Sequence, residues 1–177
     1  AEDAAVYTCN VIYMKKLSSD DISITGVTGT HLHGYSNDDV KYFHSREHVF
    51  DVFPKNIKVF FKNTENILIY RANIASLSKS DFQPFGDKLK LFYFDGNQVE
   101  VIERDLFSYN ANLEKISFLS NQVKHVESGA LKNLQKLTTL WFNRNPSCTA
   151  TNVFDRSAVI NLVAQIEGQC KNQQAYQ

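Results

Sequence analysis

Two apolar positions three residues apart recur four times along the chain: Val49/Val52, Ile74/Leu77, Val99/Ile102 and Val123/Val126. The pairs start 25, 25 and 24 residues apart, and each is followed five residues later by a further apolar side chain: Ile57, Phe82, Phe107 or Leu131. Strand-like alternations precede the last three pairs (Ile67/Ile69, Phe92/Phe94, Ile116/Phe118), and a fourth, Leu140/Phe142, follows them. A unit this small cannot bury an apolar face alone, so it must stack on copies of itself. The period therefore predicts an α/β solenoid, with coils in one column, a parallel sheet along the concave side and looser arcs along the convex side. Such a shape offers a surface for binding before it offers a pocket for chemistry.

A turn asparagine follows the strand in three coils, at Asn97, Asn121 and Asn145. A side-chain amide at a fixed place in each coil can bond main-chain groups of adjacent turns that would otherwise be buried unpaired. In the second coil Ala72 holds that place, with Asn73 beside it, and in the first the same count lands on Glu47. Residues 1–39 do not follow the period and read as an N-terminal β cap. In it, Val6 to Tyr13 and Ile22 to Ile24 have strand character, and the glycine-containing run 25–30 supplies turns. This cap is placed to cover the raw end and open edge of the first coil. Four to five coils then occupy 40–146. Beyond Pro146, Asp155 or Ser157 can cap a helix in which Val159, Ile160, Val163 and Ile166 share a face, with Gly168 ending it. Residues 147–170 thus form a helical C-terminal cap, and 171–177 a polar tail.

Three cysteines leave one over. Stacked strands lie about 4.8 Å apart, so several coils set Cys9 roughly 20 Å or more from the other two, beyond the ~7 Å Cα separation a disulfide tolerates. Cys148 therefore pairs with Cys170 and ties down the C-terminal cap, while Cys9 is a free thiol buried in the N-terminal cap or a link to a second chain. The alternative is three reduced thiols in a cytosolic protein. The first residues, Ala1-Glu2-Asp3, lack an initiator Met and an apolar leader, as a mature secreted chain does after signal removal, and equally as a shortened chain does. Nineteen basic residues balance nineteen acidic ones, so net charge draws the chain neither to nucleic acid nor to an anionic membrane. No apolar run is long enough to span a bilayer.

The units Leu89-x-x-Phe92-x-Phe94-x-x-Asn97-x-Val99, Leu113-x-x-Ile116-x-Phe118-x-x-Asn121-x-Val123 and Leu137-x-x-Leu140-x-Phe142-x-x-Asn145 resemble the leucine-rich-repeat consensus. The segment Gly29 to Val40 (GTHLHGYSNDDV) is similar to the N-terminal caps of secreted leucine-rich-repeat proteins of flies and mosquitoes. The resemblance implies a short right-handed superhelix, an extracellular setting and binding of proteins, with innate immunity as one context. Some mosquito members hold a complement-like protein in the haemolymph. Those carry a long C-terminal coiled coil and extra cysteines that link dimers, and neither feature is present in these 177 residues.

Alternate strand residues point to opposite faces. If Ile67/Ile69 and their counterparts point inward, one concave column holds Leu68, Tyr93, Ser117 and Trp141, and the next holds Tyr70, Asp95, Leu119 and Asn143. Two Tyr, the sole Trp and two Leu facing water point to an interface with a protein partner, with Arg71, Asp95 and Arg144 giving orientation at its rim. A homodimer, through this strip or through Cys9, is the second reading. His44-Ser45-Arg46-Glu47-His48 spells H-x-x-E-H, but that zinc site requires a helix, and the register places His44 in a strand and His48 past a turn. His31 and His33 have no Cys or carboxylate at a ligand spacing beside them, and the acid pairs Asp20/Asp21 and Asp38/Asp39 lie in turn-like segments. No phosphate loop, nucleophile elbow or C-x-x-C motif is present, so the reading is a non-enzymatic module with neither cofactor nor metal.

Overall fold

The computed structural model describes residues 8–10, 15–18, 21–24, 30–146, 148 and 150–170, with side chains from Ser23 onward. Six strands form one parallel sheet. In spatial order they are β1 (Thr8–Asn10), β4 (Tyr42–Arg46), β5 (Asn66–Tyr70), β6 (Leu91–Tyr93), β8 (Lys115–Ser117) and β10 (Thr139–Trp141). A hairpin of β2 (Lys15–Ser18) and β3 (Asp21–Ser23) stands apart from it, and Ser23 bridges to Lys55. On the far side of the turns, β7 (Val101–Ile102) pairs in parallel with β9 (His125–Val126). The arcs carry the single-turn helices α1 (Ile57–Phe60) and α2 (Lys79–Phe82), the latter opened by a reciprocal Ser78/Asp81 cap.

Phe43, Ile67, Phe92, Ile116 and Leu140 align across the sheet, so consecutive strands are 24, 25, 24 and 24 residues apart. The first interval corrects the first coil as read from sequence. A count of 25 put Val49 inside and Glu47 at the asparagine position; the register puts His48 opposite Ala72 and Phe50 opposite Ile74. Val49 is 63 % exposed, whereas Phe50 and Phe53 are each 4 % exposed. The core is one continuous apolar column in which each buried Phe contributes about 2–3 kcal/mol. Its centre is a phenylalanine stack: the Phe82 ring lies 4.9 Å from Phe92, 5.1 Å from Phe107 and 5.3 Å from Phe53.

Two further columns hold the turns. One left-handed residue follows each of the sheet strands β4, β5, β6, β8 and β10: Glu47, Arg71, Gly96, Ser120 and Arg144, with φ between 54° and 69°. At Gly96 a Cβ would come 2.9 Å from Arg71 Cγ, so space selects glycine there, whereas the other four positions take the same φ with a side chain. The buried asparagines come next. Asn97 Oδ1 accepts from Ala72 N at 3.0 Å and its Nδ2 donates to Ile69 O at 3.1 Å. Asn121 and Asn145 repeat the pattern toward Val99 N and Phe94 O, and toward Val123 N and Phe118 O.

At the C-terminal end, the edge of β10 is closed by Val153, which exchanges hydrogen bonds with Leu140, and by Asn152 Oδ1, which accepts from Phe142 N at 3.2 Å. Helix α3 (Arg156–Gln169) is capped by Asp155, whose side chain accepts from Ala158 N. Cys148 is bonded to Cys170, Cα to Cα 5.2 Å. Two helix details differ from expectation. Leu162 joins Val159 and Ile166 inside while Ile160 is 53 % exposed, and the helix runs through Gly168 to Gln169. Arg156 sets the helix rotation by donating to Leu134 O and Leu137 O, and this turns Ile160 onto the wall of a groove of about 670 Å³ beside residues 128–135.

At the N-terminal end β1 extends the parallel sheet beyond the first coil, and Cys9 pairs in register with Phe43. The fate of its thiol lies outside the described side chains, and the 171–177 tail and Asp20 lie outside the described residues. No helix among the described residues is long and apolar enough to cross a membrane.

Candidate recognition surface

The outer face of the sheet carries the residues the alternation assigns to it. Leu68, Tyr70, Tyr93, Asp95, Leu119, Trp141 and Asn143 are all half-buried there, and Arg71 and Arg144 are exposed in the left-handed turns at its rim. Tyr93 on β6 and Trp141 on β10 are separated by a whole strand, yet their rings stack with centroids 5.1 Å apart and planes 24° from parallel. Backbones two strands apart are separated by about 9.6 Å. The rings therefore lean together over β8, where the residue between them is the small Ser117. Ser117 is 0 % exposed, covered by the pair it separates.

Ser117 is also turned to use. Its Oγ donates to Asp95 Oδ1, which accepts a second bond from Leu119 N at 3.2 Å. Burial pushes the Asp95 carboxyl above the ordinary carboxylate range, against the lowering effect of those two bonds. The same burial, aided by the nearby Asp95 charge, raises the Tyr93 phenol and pushes Tyr70 up to about 12. Both tyrosines are thus neutral donors across the physiological range. The Arg46 guanidinium sits 5.4 Å over the Tyr70 ring, and the His44 ring meets the same tyrosine edge-on at 5.6 Å. Burial, then Arg46, lowers the His44 pKa. At the rim Arg71 pairs with Glu47 at 3.0 Å.

One member of the strip was not legible as such. Phe154 is 66 % exposed and meets the Trp141 ring edge-on, centroids 6.2 Å apart. It belongs to no repeat; only the return of Val153 along β10 brings it there, and no periodic signal announces that return. Two polar atoms in the same region, Trp141 Nε1 and Asn143 Oδ1, are buried with no hydrogen-bond partner.

The H-x-x-E-H segment is strand and turn. His44 lies on the outer face against Tyr70, Glu47 occupies a left-handed turn, and His48 stacks on Phe50 at 6.0 Å. Among the described residues no group of three or more His, Cys, Asp or Glu is placed to hold a metal ion. His31 bonds to Asn37 at 2.8 Å in an irregular segment instead of sharing a strand face with His33, and Asp38 and Asp39 form a Ser36-capped turn.

No family model matches the chain, and no curated protein matches it. Among solved structures it resembles a chain of the Toll–Spatzle complex, described as a molecular hub in Drosophila development and innate immunity. The TM-score is 0.57 and the identity 16%, over 64% of this chain and 15% of that one. The chain thus spans a small fraction of that protein's length. At this identity the likeness shows the fold alone: Toll is a leucine-rich-repeat protein, and the strand-and-arc coils here are of that kind.

Proposed function

We propose that the chain is an extracellular, non-enzymatic protein-recognition module. In this reading it is a short right-handed leucine-rich-repeat solenoid with an N-terminal cap over 1–39, coils over 40–146 and a disulfide-tied cap over 147–170. A protein partner docks on the concave strip of Leu68, Tyr70, Tyr93, Leu119 and Trp141, and is oriented by Arg71, Asp95, Asn143 and Arg144. The observation that carries the reading is the Tyr93–Trp141 stack, continued by exposed Phe154, on a sheet face that no described element covers. Aromatic anchors in a rim of polar groups are what interface cores use. The disulfide favours an oxidising compartment. The fold likeness to Toll, and the similarity of the N-terminal cap to secreted insect proteins, favour innate defence as the setting.

The test is capture from extracellular fluid of the source organism. Immobilised native chain is expected to retain a saturable partner of fixed stoichiometry. The double variant Tyr93→Ala/Trp141→Ala, with an unchanged circular-dichroism spectrum, is expected to retain none. Equal retention by the two would overturn the assignment of the strip.

A further inference from the structure

Asp95 is a half-buried carboxylate with no cation paired to it among the described residues. Several other carboxylates are paired with cations: Asp38 with Lys62, Glu47 with Arg71, Glu65 with Lys41 and Lys90, Glu100 with Lys124, and Asp105 with Lys79. Glu65 is the fair comparison, because it too is partly buried at the sheet, and it holds two lysines at 2.8 and 2.6 Å. Asp95 holds none among the described residues. Its Oδ1 is fixed by Ser117 Oγ and Leu119 N, and no described residue donates to its Oδ2. Arg71, in the neighbouring turn, is drawn away to Glu47. A carboxylate held partly out of water, oriented through one oxygen and left open at the other, is a preorganised half of an ion pair. Beside it stands the aromatic pair on either side of Ser117, and aromatic faces attract cations through their quadrupole.

We infer that the partner anchors itself here with one basic side chain, a lysine ammonium or an arginine guanidinium, seated against the Tyr93–Trp141 stack with its charge on Asp95 Oδ2. The inference rests on the recognition reading above and names the chemistry of the contact. The site supplies what a cation needs on leaving water: a full opposite charge, a π surface, and the Tyr70 and Tyr93 phenols close enough to sense that charge. An acidic or purely apolar anchor would leave Asp95 unpaired and drier than before, which is unfavourable. Selection therefore acts against such partners as well as for basic ones.

Trp141 is the only tryptophan in the chain, so its emission reports on this site alone. Three peptides are titrated into the full chain: acetyl-Gly-Gly-Lys-Gly-Gly-amide, its arginine counterpart, and its norleucine counterpart, which keeps the stem and lacks the charge. The basic peptides are expected to change the emission saturably, with the norleucine peptide at least about tenfold weaker. Asp95→Asn, which retains an acceptor for Ser117 and Leu119, is expected to weaken the basic peptides about tenfold and to leave the norleucine peptide unaffected. Equal response to lysine and norleucine peptides in the native chain, no saturable response, or undiminished binding to Asp95→Asn would each overturn the proposal. The wider reading fails separately. If Tyr93→Ala/Trp141→Ala abolishes partner capture while Asp95→Asn does not, the strip stands as a docking surface and the cationic anchor falls.

Discussion

The asparagine column shows how one residue per coil governs the stacking. At Ile74, Val99 and Val123 the main-chain N–H enters the turn and is met by the Oδ1 of Asn97, Asn121 and Asn145. Phe50 is the equivalent residue of the first coil, and the next coil offers Ala72 instead of asparagine. There the Ala72 carbonyl bends in and accepts from Phe50 N at 3.0 Å and from Asp51 N at 3.3 Å. The backbone has taken over the side chain's office, and this local rearrangement is why the first two coils look irregular in sequence. The regular coils have no such substitute. Asn121→Ala removes the partner of Val99 N and of Phe94 O in a buried turn, and is expected to lower stability by about 2–4 kcal/mol, read as a lower urea midpoint with an unchanged slope. At this scale the sequence was most legible where polar chemistry repeats and least where it lapses. Glu47 was one residue out because nothing marks the shorter first interval, and Asp95 and Ser117 were placed on the right face without any sign that they bond each other.

The sheet strands β4, β5, β6, β8 and β10 are each preceded by one residue of a further column: Lys41, Glu65, Lys90, Glu114 and Thr138. Its members link coil to coil through main-chain bonds, Glu65 N to Lys41 O, Lys90 N to Glu65 O, Glu114 N to Lys90 O and Thr138 N to Glu114 O, all between 2.8 and 3.0 Å. Charge alternates along the first four, and Glu65 is held by lysines on both sides. Hydrogen bonds from Lys41 and Lys90 set the Glu65 carboxyl below its ordinary range, outweighing its partial burial. A depressed carboxylate adds stability that is complete above its unfolded pKa and is lost as pH falls through the lower folded one. Glu65→Gln is therefore expected to lower stability near neutrality and to converge on the native chain at low pH, which flattens the acid limb of the stability–pH curve. The lysines are about half exposed, so screening keeps the effect below about 1 kcal/mol. Thermal melts from pH 7 downward check this, and an acid limb identical in variant and native chain would refute it. Elements whose periods are long were readable from the sequence, including the core strands and α3. The rotation of α3 was not, because Arg156 fixes it through carbonyls of the last arc, a contact between segments about twenty residues apart that leaves no local pattern.

Over the whole molecule, stability depends mainly on neighbours, because the sheet's backbone contacts run between adjacent strands, β4 with β5, β5 with β6, β6 with β8 and β8 with β10, and side-chain contacts such as the Tyr93–Trp141 stack reach one coil further. The ends are then the weak points, and the two ends are closed differently. The N-terminal end adds a strand, β1, in register with β4. The C-terminal end adds a helix, a returning segment along β10 and a covalent tie between Cys148 and Cys170, which are 22 residues apart. That tie also positions Cys170 O, which accepts from Val126 N at 3.1 Å and lies 2.9 Å from His125 Nδ1, so the cap is anchored to β9 as well as to the last coil. A loop of that length gives roughly 3 kcal/mol on the chain-entropy model. In a column of coupled coils the loss should not be shared evenly. Cys148→Ser/Cys170→Ser is expected to lower the global melt by about that amount, and to speed hydrogen exchange first in α3, β9 and β10, with β4 and β5 losing protection only at the global limit. The anchoring strip spans both regimes: Trp141 lies in the sensitive strand and Tyr93 two strands away. Reduction should therefore separate the stacked rings and shift Trp141 emission before the coils melt. Uniform loss of protection from β4 to β10 would show instead that the column unfolds as one unit and that the cap is not a separate step.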